Sequence, residues 1–147
     1  GQVVIAGEIK AVEQAMSLCK AAGAKRTLPL PVSAPFHTSL MRPAAERLTA
    51  LVESTVFSSP VIPVIHNVNG QVQADTKIIK SLMIEQIYRP IRWVDCVLTI
   101  RGRGAEHLIE CGPGRVLNGL SKRIDRELRS FATDDIGSLE NALASIK

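Results

Sequence analysis

Between an apolar strand-like run and an amphipathic segment lies the stretch Pro31-Val32-Ser33-Ala34-Pro35-Phe36-His37-Thr38-Ser39-Leu40-Met41. Its prolines and small residues indicate a loop that carries one histidine. A loop between two regular elements is a common place for catalytic side chains. Because imidazole exchanges protons near neutral pH, His37 is a candidate general base. A loop histidine is more often a surface or structural residue, so position alone does not decide its role.

Outward from this loop, short β-rich runs alternate with amphipathic segments, which predicts an α/β fold. Strands are predicted over residues 2–6, 26–32, 61–68, 106–111 and 130–132. Helices are predicted around residues 12–19, 43–52, 78–87, 93–100, 116–128 and 139–146. Asn69-Gly70 marks a turn, Pro90 ends a helix, and Asp134 or Asp135 caps the last one.

The composition is that of a globular chain with an aliphatic core. Of 147 residues, 46% are apolar and 22% are charged, which argues against a disordered chain. Aromatic residues make up 3%, too few for a surface that stacks nucleic-acid bases. No apolar run approaches the ~20 residues of a membrane span. We therefore expect neither a nucleic-acid nor a membrane partner, while the net charge of +4 favours an acidic one.

Three cysteines without Cys-x-x-Cys spacing predict neither a disulfide framework nor a zinc site. Reduced thiols in the cytoplasm are the better interpretation. Cys19 falls on a helical apolar stripe and Cys111 ends an apolar strand, so both are interpreted as small hydrophobes, although a Cys–His nucleophilic pair stays open. His66 and His107 are expected to be packed or to face solvent. No histidine pair has metal-site spacing, so we expect no metal.

Two further features can be interpreted either as purely structural or as functional. Gly112-Pro113-Gly114 either presents amides to an anion or forms a plain tight turn, which is favoured because the phosphate-loop patterns are missing. The pairs Lys25-Arg26 and Lys122-Arg123 form either a solvated face or a docking surface for an acidic protein. The sequence holds no Gly-x-Ser-x-Gly elbow that would give His37 a nucleophile.

Four motifs, in order, resemble those of the malonyl-CoA:acyl-carrier-protein transacylases. They are Leu30-Pro31-Val32-Ser33-Ala34-Pro35-Phe36-His37 with Leu40-Met41-Arg42-Pro43-Ala44-Ala45, then Val64-Ile65-His66-Asn67-Val68, then Glu85-Gln86-Ile87-Tyr88-Arg89-Pro90-Ile91-Arg92-Trp93, and finally Glu110-Cys111-Gly112-Pro113-Gly114-Arg115-Val116-Leu117. Gly1-Gln2-Val3-Val4-Ile5-Ala6-Gly7 is similar to an internal segment of the family. The resemblance covers essentially the whole chain.

The resemblance implies a fold and a site. Residues 33–147 resemble the C-terminal portion of a hydrolase-like α/β subdomain, and residues 1–32 the last strand–helix–strand of a ferredoxin-like one. His37 matches the family's general base, oriented by a main-chain carbonyl that falls on Gln86. Phe36, next to the histidine, resembles the malonyl-selective pattern. The basic pairs, Lys25-Arg26 and Lys122-Arg123, flank in the family's geometry the groove between the subdomains, where we expect them to dock acyl carrier protein.

The implied reaction moves a malonyl group from malonyl-CoA, through a serine acyl-enzyme, to the phosphopantetheine thiol of acyl carrier protein. The protein itself then needs no cofactor. The family's serine elbow, oxyanion glutamine and malonyl-binding arginine have no match here, and we expect them upstream of Gly1. The chain alone is therefore expected to be inactive, to expose apolar faces, and to need an N-terminal half as partner. The alternatives are an excised polyketide-synthase acyltransferase domain and a non-catalytic carrier-binding module.

Overall fold

The computed structural model of the chain describes residues 2–146. Gly1 and Lys147, the outer limits of the two expected subdomains, lie outside the described residues. The helices are α1 (Ile9–Ala21), α2 (Arg42–Ser54), α3 (Thr76–Tyr88), α4 (Trp93–Gly102), α5 (Val116–Ile124) and α6 (Ile136–Ile146). The strands are β1 (Val64–His66), β2 (Gln71–Gln73), β3 (His107–Glu110) and β4 (Arg129–Ala132). The predicted α/β organisation is confirmed.

The described residues group into two compact units. The first comprises residues 2–59 and 74–91, and the second comprises residues 60–73 and 92–146. This grouping does not test the expected subdomain boundary at residue 32, which stays a prediction.

The core of the first unit lies between α2 and α3. Its buried apolar residues are Ala45 and Val52 on α2 and Ile79 and Leu82 on α3. The spacings of seven and three positions place each pair on one helical face, as the apolar stripes predict. Burial of a Val, Ile or Leu side chain contributes about 1.5–3 kcal/mol. Pro43 lies in the first turn of α2, where its missing N–H costs nothing.

The second unit combines a hairpin with a β–α–β unit. β1 and β2 pair antiparallel across the predicted turn at Asn69-Gly70, and β3 and β4 pair in parallel through α5. A parallel pair needs such a crossover because the chain must return to the same end of the sheet. The buried apolar residues of this unit are Val68, Cys96, Val97, Leu128, Ala132 and Ala142.

Gly70 is held at a place that admits no side chain. Its φ is +68°, in the left-handed region that favours glycine. Its N–H donates to His66 O at 2.8 Å, and its carbonyl accepts the Thr99 hydroxyl at 2.7 Å. A Cβ added here would lie 2.6 Å from the Cβ of Asp95. The turn therefore packs directly against α4.

Several predicted elements are wrong or too long. Residues 2–6 and 26–32 form no strand, since no strand among the described residues pairs with them and Pro29 and Pro31 lack an N–H. The strand predicted over residues 61–68 is confined to β1, because Pro63 precedes it. α5 ends at Ile124, and Leu128, expected on that helix, lies in the core after a turn.

Large apolar side chains lie exposed along α1 and α6. α1 buries none of its residues, so the apolar stripe that carries Cys19 does not face a core. The thiols of Cys19 and Cys111, interpreted as small hydrophobes, are both exposed. On α6 the exposed residues are Ile136, Leu139, Leu143 and Ile146, spaced three, four and three apart on one face. The apolar faces expected from the sequence are present.

Candidate active site

His37 occupies a strained position in a tightly bonded turn. Its φ is +61°, and among residues 2–146 it is the one non-glycine residue with a positive φ. The Thr38 hydroxyl donates to Pro35 O at 2.7 Å, which closes the turn around the histidine. Such a conformation persists where surrounding bonds over-determine it.

The last turn of α3 supplies two acceptors for His37. α3 ends at Tyr88 because Pro90 disfavours helical backbone at Arg89, which is extended. A helix leaves its final carbonyls without intrahelical partners. Gln86 O lies 2.6 Å from His37 Nδ1, and Ile87 O accepts the His37 N–H at 3.2 Å. His37 therefore satisfies two of these carbonyls.

This contact defines the tautomer of the His37 imidazole. A carbonyl oxygen only accepts, so Nδ1 carries the hydrogen and Nε2 of the neutral ring keeps a lone pair. The ring is half-buried. The carbonyl end of a helix carries partial negative charge, which favours a cation beside it. Chemically, a neutral histidine held in this way can accept a proton at Nε2.

A second contact joins the start of α2 to the end of α3. The guanidinium of Arg42, at the start of α2, lies 4.3 Å from the centre of the Tyr88 ring at the end of α3. Such a cation–π contact contributes about 0.5–1 kcal/mol at an exposed site. It links the helix that follows the histidine turn to the helix that supplies the carbonyls.

The other predicted site residues are exposed. Phe36 precedes the histidine with its ring open to solvent, and Lys25 and Arg26 lie in the segment after α1. Lys122 and Arg123 occupy the last turn of α5 in the second unit. The structure thus brings His37 and Gln86 together and leaves the basic pairs on separate units.

Glu110, to which the sequence assigned no separate role, ends β3 and caps the start of α5 with its side chain. Its carboxylate accepts the N–H of Leu117 at 3.1 Å and of Asn118 at 2.7 Å. A carboxylate is favoured there because a helix N-terminus carries partial positive charge. Two amides of the helix start that an external anion would need are thus occupied, which favours the plain-turn interpretation of Gly112-Pro113-Gly114. The sequence signal for this capping contact is an acidic residue, Glu110, shortly before a predicted helix.

Three buried ring nitrogens have no hydrogen-bond partner among the described residues: His66 Nε2, Trp93 Nε1 and His107 Nε2. Burial lowers the pKa of His66. Burial, together with the Asp95 carboxylate, raises the pKa of the Cys96 thiol. Within residues 2–146 no group of three His, Cys, Asp or Glu side chains is placed to hold a metal ion. No helix in that range is long and apolar enough to cross a membrane.

Comparison with known proteins gives extensive matches. The malonyl CoA-acyl carrier protein transacylase of Salmonella typhimurium is 48% identical over 143 residues, 97% of this chain and 46% of that protein. The transacylase of Bacillus subtilis is 42% identical over 147 residues, 100% of this chain and 46% of its own length. No protein-family model matches the chain.

Solved structures of similarly named proteins also match this chain. A malonyl-transacylase in complex with a type II PKS acyl-carrier protein matches with a TM-score of 0.89 and 45% identity, over 95% of this chain and 45% of that one. The acyl-carrier-protein S-malonyltransferase of Burkholderia pseudomallei matches with a TM-score of 0.88 and 44% identity, over 94% and 45%.

The chain is therefore a homologue of the C-terminal part of the malonyl CoA-acyl carrier protein transacylases. The chain spans about half the length of the curated relatives that it matches.

Proposed function

We propose that this chain supplies the general base of a malonyl-CoA:acyl-carrier-protein transacylase whose serine lies in a separate N-terminal part. The observation that carries the proposal is the contact of His37 Nδ1 with Gln86 O at 2.6 Å. It leaves Nε2 as the proton acceptor of the neutral ring. The relatives' names supply the substrates, malonyl-CoA and acyl carrier protein.

In the proposed reaction, Nε2 of His37 takes the hydroxyl proton while the serine oxygen attacks the malonyl thioester carbonyl. The carbon–sulfur bond breaks, and His37 returns the proton to the departing thiol of coenzyme A. His37 then takes the proton of the phosphopantetheine thiol, whose sulfur attacks the malonyl-serine ester. The proton goes back to the serine as the second thioester forms. The Gln86 carbonyl holds the imidazole orientation throughout.

The test is intact-mass detection of a malonyl adduct after mixing with malonyl-CoA. The chain is examined alone and beside the separately expressed N-terminal part. We expect an adduct on the N-terminal part and none on this chain. His37→Ala should slow adduct formation about 10²–10⁴-fold, the contribution of a general base.

Ser39→Ala is the matched control for the His37 variant. Ser39 is exposed in the same segment, and its side chain makes no hydrogen bond to any of residues 2–146. This variant should keep the parent rate. An adduct on this chain alone would identify a nucleophile here and overturn the mechanism. Retained carrier binding without acyl transfer, even beside the N-terminal part, would favour the alternative of a non-catalytic binding module.

The exposed apolar stripe of α6 supports the need for a partner. Ile136, Leu139, Leu143 and Ile146 leave that face uncovered in the described structure, and the relatives are about twice as long. We propose that the N-terminal part covers apolar faces of this chain. Its addition should therefore protect α6 amides from hydrogen exchange.

We further propose that the basic pairs dock the acidic carrier protein and steer its approach. Lys25, Arg26, Lys122 and Arg123 are exposed. Reversing Lys122 and Arg123 to Glu should raise the KM for the carrier in the reconstituted enzyme. The control reverses two other exposed lysines, Lys10 and Lys77, which gives the same change in net charge. An equal rise in both variants would assign the effect to overall charge.

Phe36 is the proposed selectivity residue. Phe36 directly precedes the proposed base in the chain. A bulky ring there would crowd an α-methyl branch, a difference of about 1–3 kcal/mol. Phe36→Ser should narrow the preference for malonyl-CoA over methylmalonyl-CoA in the reconstituted enzyme.

We also propose the cytoplasm as the compartment, in which the free thiols of Cys19, Cys96 and Cys111 stay reduced.

A further inference from the structure

A hollow of about 190 Å³ lies within the second unit between α5, β4 and α6. Its lining residues are Arg115, Asn118, Lys122, Ser130, Phe131, Ala132, Ser138 and Asn141. Amides, hydroxyls and cations predominate, and no carboxylate lines it. This volume can hold a small polar ligand, since a water molecule occupies roughly 30 Å³ of liquid.

One buried polar side chain of the hollow has no partner among the described residues. Ser130 is 6% exposed, and its hydroxyl has no hydrogen bond among residues 2–146. Asn118 beside it is 9% exposed, and its main-chain N–H donates to the Glu110 carboxylate. Buried polar side chains are nearly always hydrogen-bonded, so an orphan hydroxyl at the hollow points to a missing ligand.

The charges at the hollow favour an anion. Lys122 makes no ion pair within the described residues. Arg115 is oriented by its bonds from Nε to Asp134 and from Nη2 to Asp135 and Ser138, which leave Nη1 without a recorded bond. Asp134 and Asp135 do not line the hollow. The remaining donors are an ammonium, a guanidinium nitrogen, two carboxamides and a hydroxyl.

We infer that this hollow is a binding site for a phosphate group. Phosphate accepts hydrogen bonds on several oxygens at once and pairs with both Lys and Arg. Lys122 supplies the positive charge, since Asp134 and Asp135 offset that of Arg115. Arg115 Nη1 and the side-chain amides of Asn118 and Asn141 supply further N–H donors. Ser130, at the β4 side, gains the partner that it lacks. The inference depends on no step of the proposed acyl transfer.

The test is titration of the ¹⁵N-labelled chain with inorganic phosphate, with chloride at equal ionic strength as reference. We expect saturable shifts in the side-chain amides of Asn118 and Asn141 and in the main-chain amide of Ser130. Lys122→Gln should weaken phosphate binding about tenfold, the effect of losing one charged hydrogen bond. Ser130→Ala should fold normally, since it removes an orphan hydroxyl, and should bind phosphate more weakly.

Arg126→Gln is the matched control, because it removes an exposed positive charge that lies four positions after Lys122 and does not line the hollow. It should change phosphate affinity less than about twofold. Equal losses in the Lys122 and Arg126 variants, unchanged binding by Ser130→Ala, or shifts that follow ionic strength alone would each overturn the inference.

Coenzyme A and 3′-dephospho-coenzyme A distinguish the two sources of the phosphate. A preference for coenzyme A, with shifts at Asn118 and Asn141, would identify a phosphate monoester as the occupant. Saturation of the same amides by inorganic phosphate without that preference would identify the free ion. Saturation by neither probe would refute the site.

Discussion

Replacement of Gly70 by Ala should destabilise the second unit more than any ordinary surface substitution. An Ala at φ +68° costs about 1–2 kcal/mol because its Cβ crowds the following carbonyl. The same Cβ would lie 2.6 Å from the Cβ of Asp95 and 3.2 Å from its carbonyl carbon. Overpacking of that kind costs about 1–3 kcal/mol. The expected loss in unfolding free energy is therefore about 2–5 kcal/mol.

Urea titration followed by tryptophan fluorescence measures this loss. Trp93, the one tryptophan of the chain, begins α4 in the same unit as Gly70. Gly104→Ala is the matched control, since Gly104 has φ +88° but no atom within 4 Å of an added Cβ. The control should lose only the backbone cost of about 1–2 kcal/mol.

The difference between the two variants isolates the contact with Asp95. In an Asp95→Gly background most of the extra cost of Gly70→Ala should disappear, which a double-mutant cycle reports directly. Equal losses for Gly70→Ala and Gly104→Ala would refute the close packing of the turn against α4.

Three further outcomes are expected. Burial lowers the pKa of His66, so on acidification the unfolded chain takes up the His66 proton at a higher pH than the folded chain does. The stability that the neutral ring contributes is therefore complete above the ordinary pKa of 6.5 and is lost as the pH falls through the folded pKa. His66→Phe should make the unfolding free energy from urea titrations depend less on pH in this range. Glu110→Ala should lower the unfolding free energy by about 1–2 kcal/mol, and Glu110→Gln by less, because the amide oxygen still accepts one N–H; equal losses would contradict the capping role. Ellman's reagent should modify the exposed Cys19 and Cys111 rapidly and Cys96 only on unfolding, because Cys96 is buried and its pKa is raised; three equal rates would contradict this placement.

The helices of this chain are readable from sequence because their signals are local. The cap predicted at Asp134 or Asp135 is confirmed at Asp135, which accepts the Ser138 N–H at 2.8 Å. That bond and one from the Ser138 hydroxyl lower the pKa of the Asp135 carboxyl. The strands predicted over residues 2–6 and 26–32 failed because pairing requires a second strand, whose presence no local pattern reports.

The candidate site likewise contains one residue that local sequence predicts and contacts that it does not. Loop position made His37 a candidate, but its carbonyl partner lies 49 residues away, and only the resemblance of the Gln86 motif related the two. The contributions of Thr38 and Ile87 escaped the sequence analysis. Both depend on main-chain oxygens, Pro35 O and Ile87 O, whose placement is independent of residue type.

The acceptors of His37 are main-chain atoms, and this sets which mutations the site tolerates. Any residue at position 86 offers the same carbonyl, so point substitutions there keep the hydrogen bond. A one-residue insertion or deletion between Leu82 and Gln86 would instead rotate the helix end by about 100° and displace it by about 1.5 Å. The His37 hydrogen bond therefore tolerates substitutions at this end of α3, but not insertions or deletions that change the length of the helix.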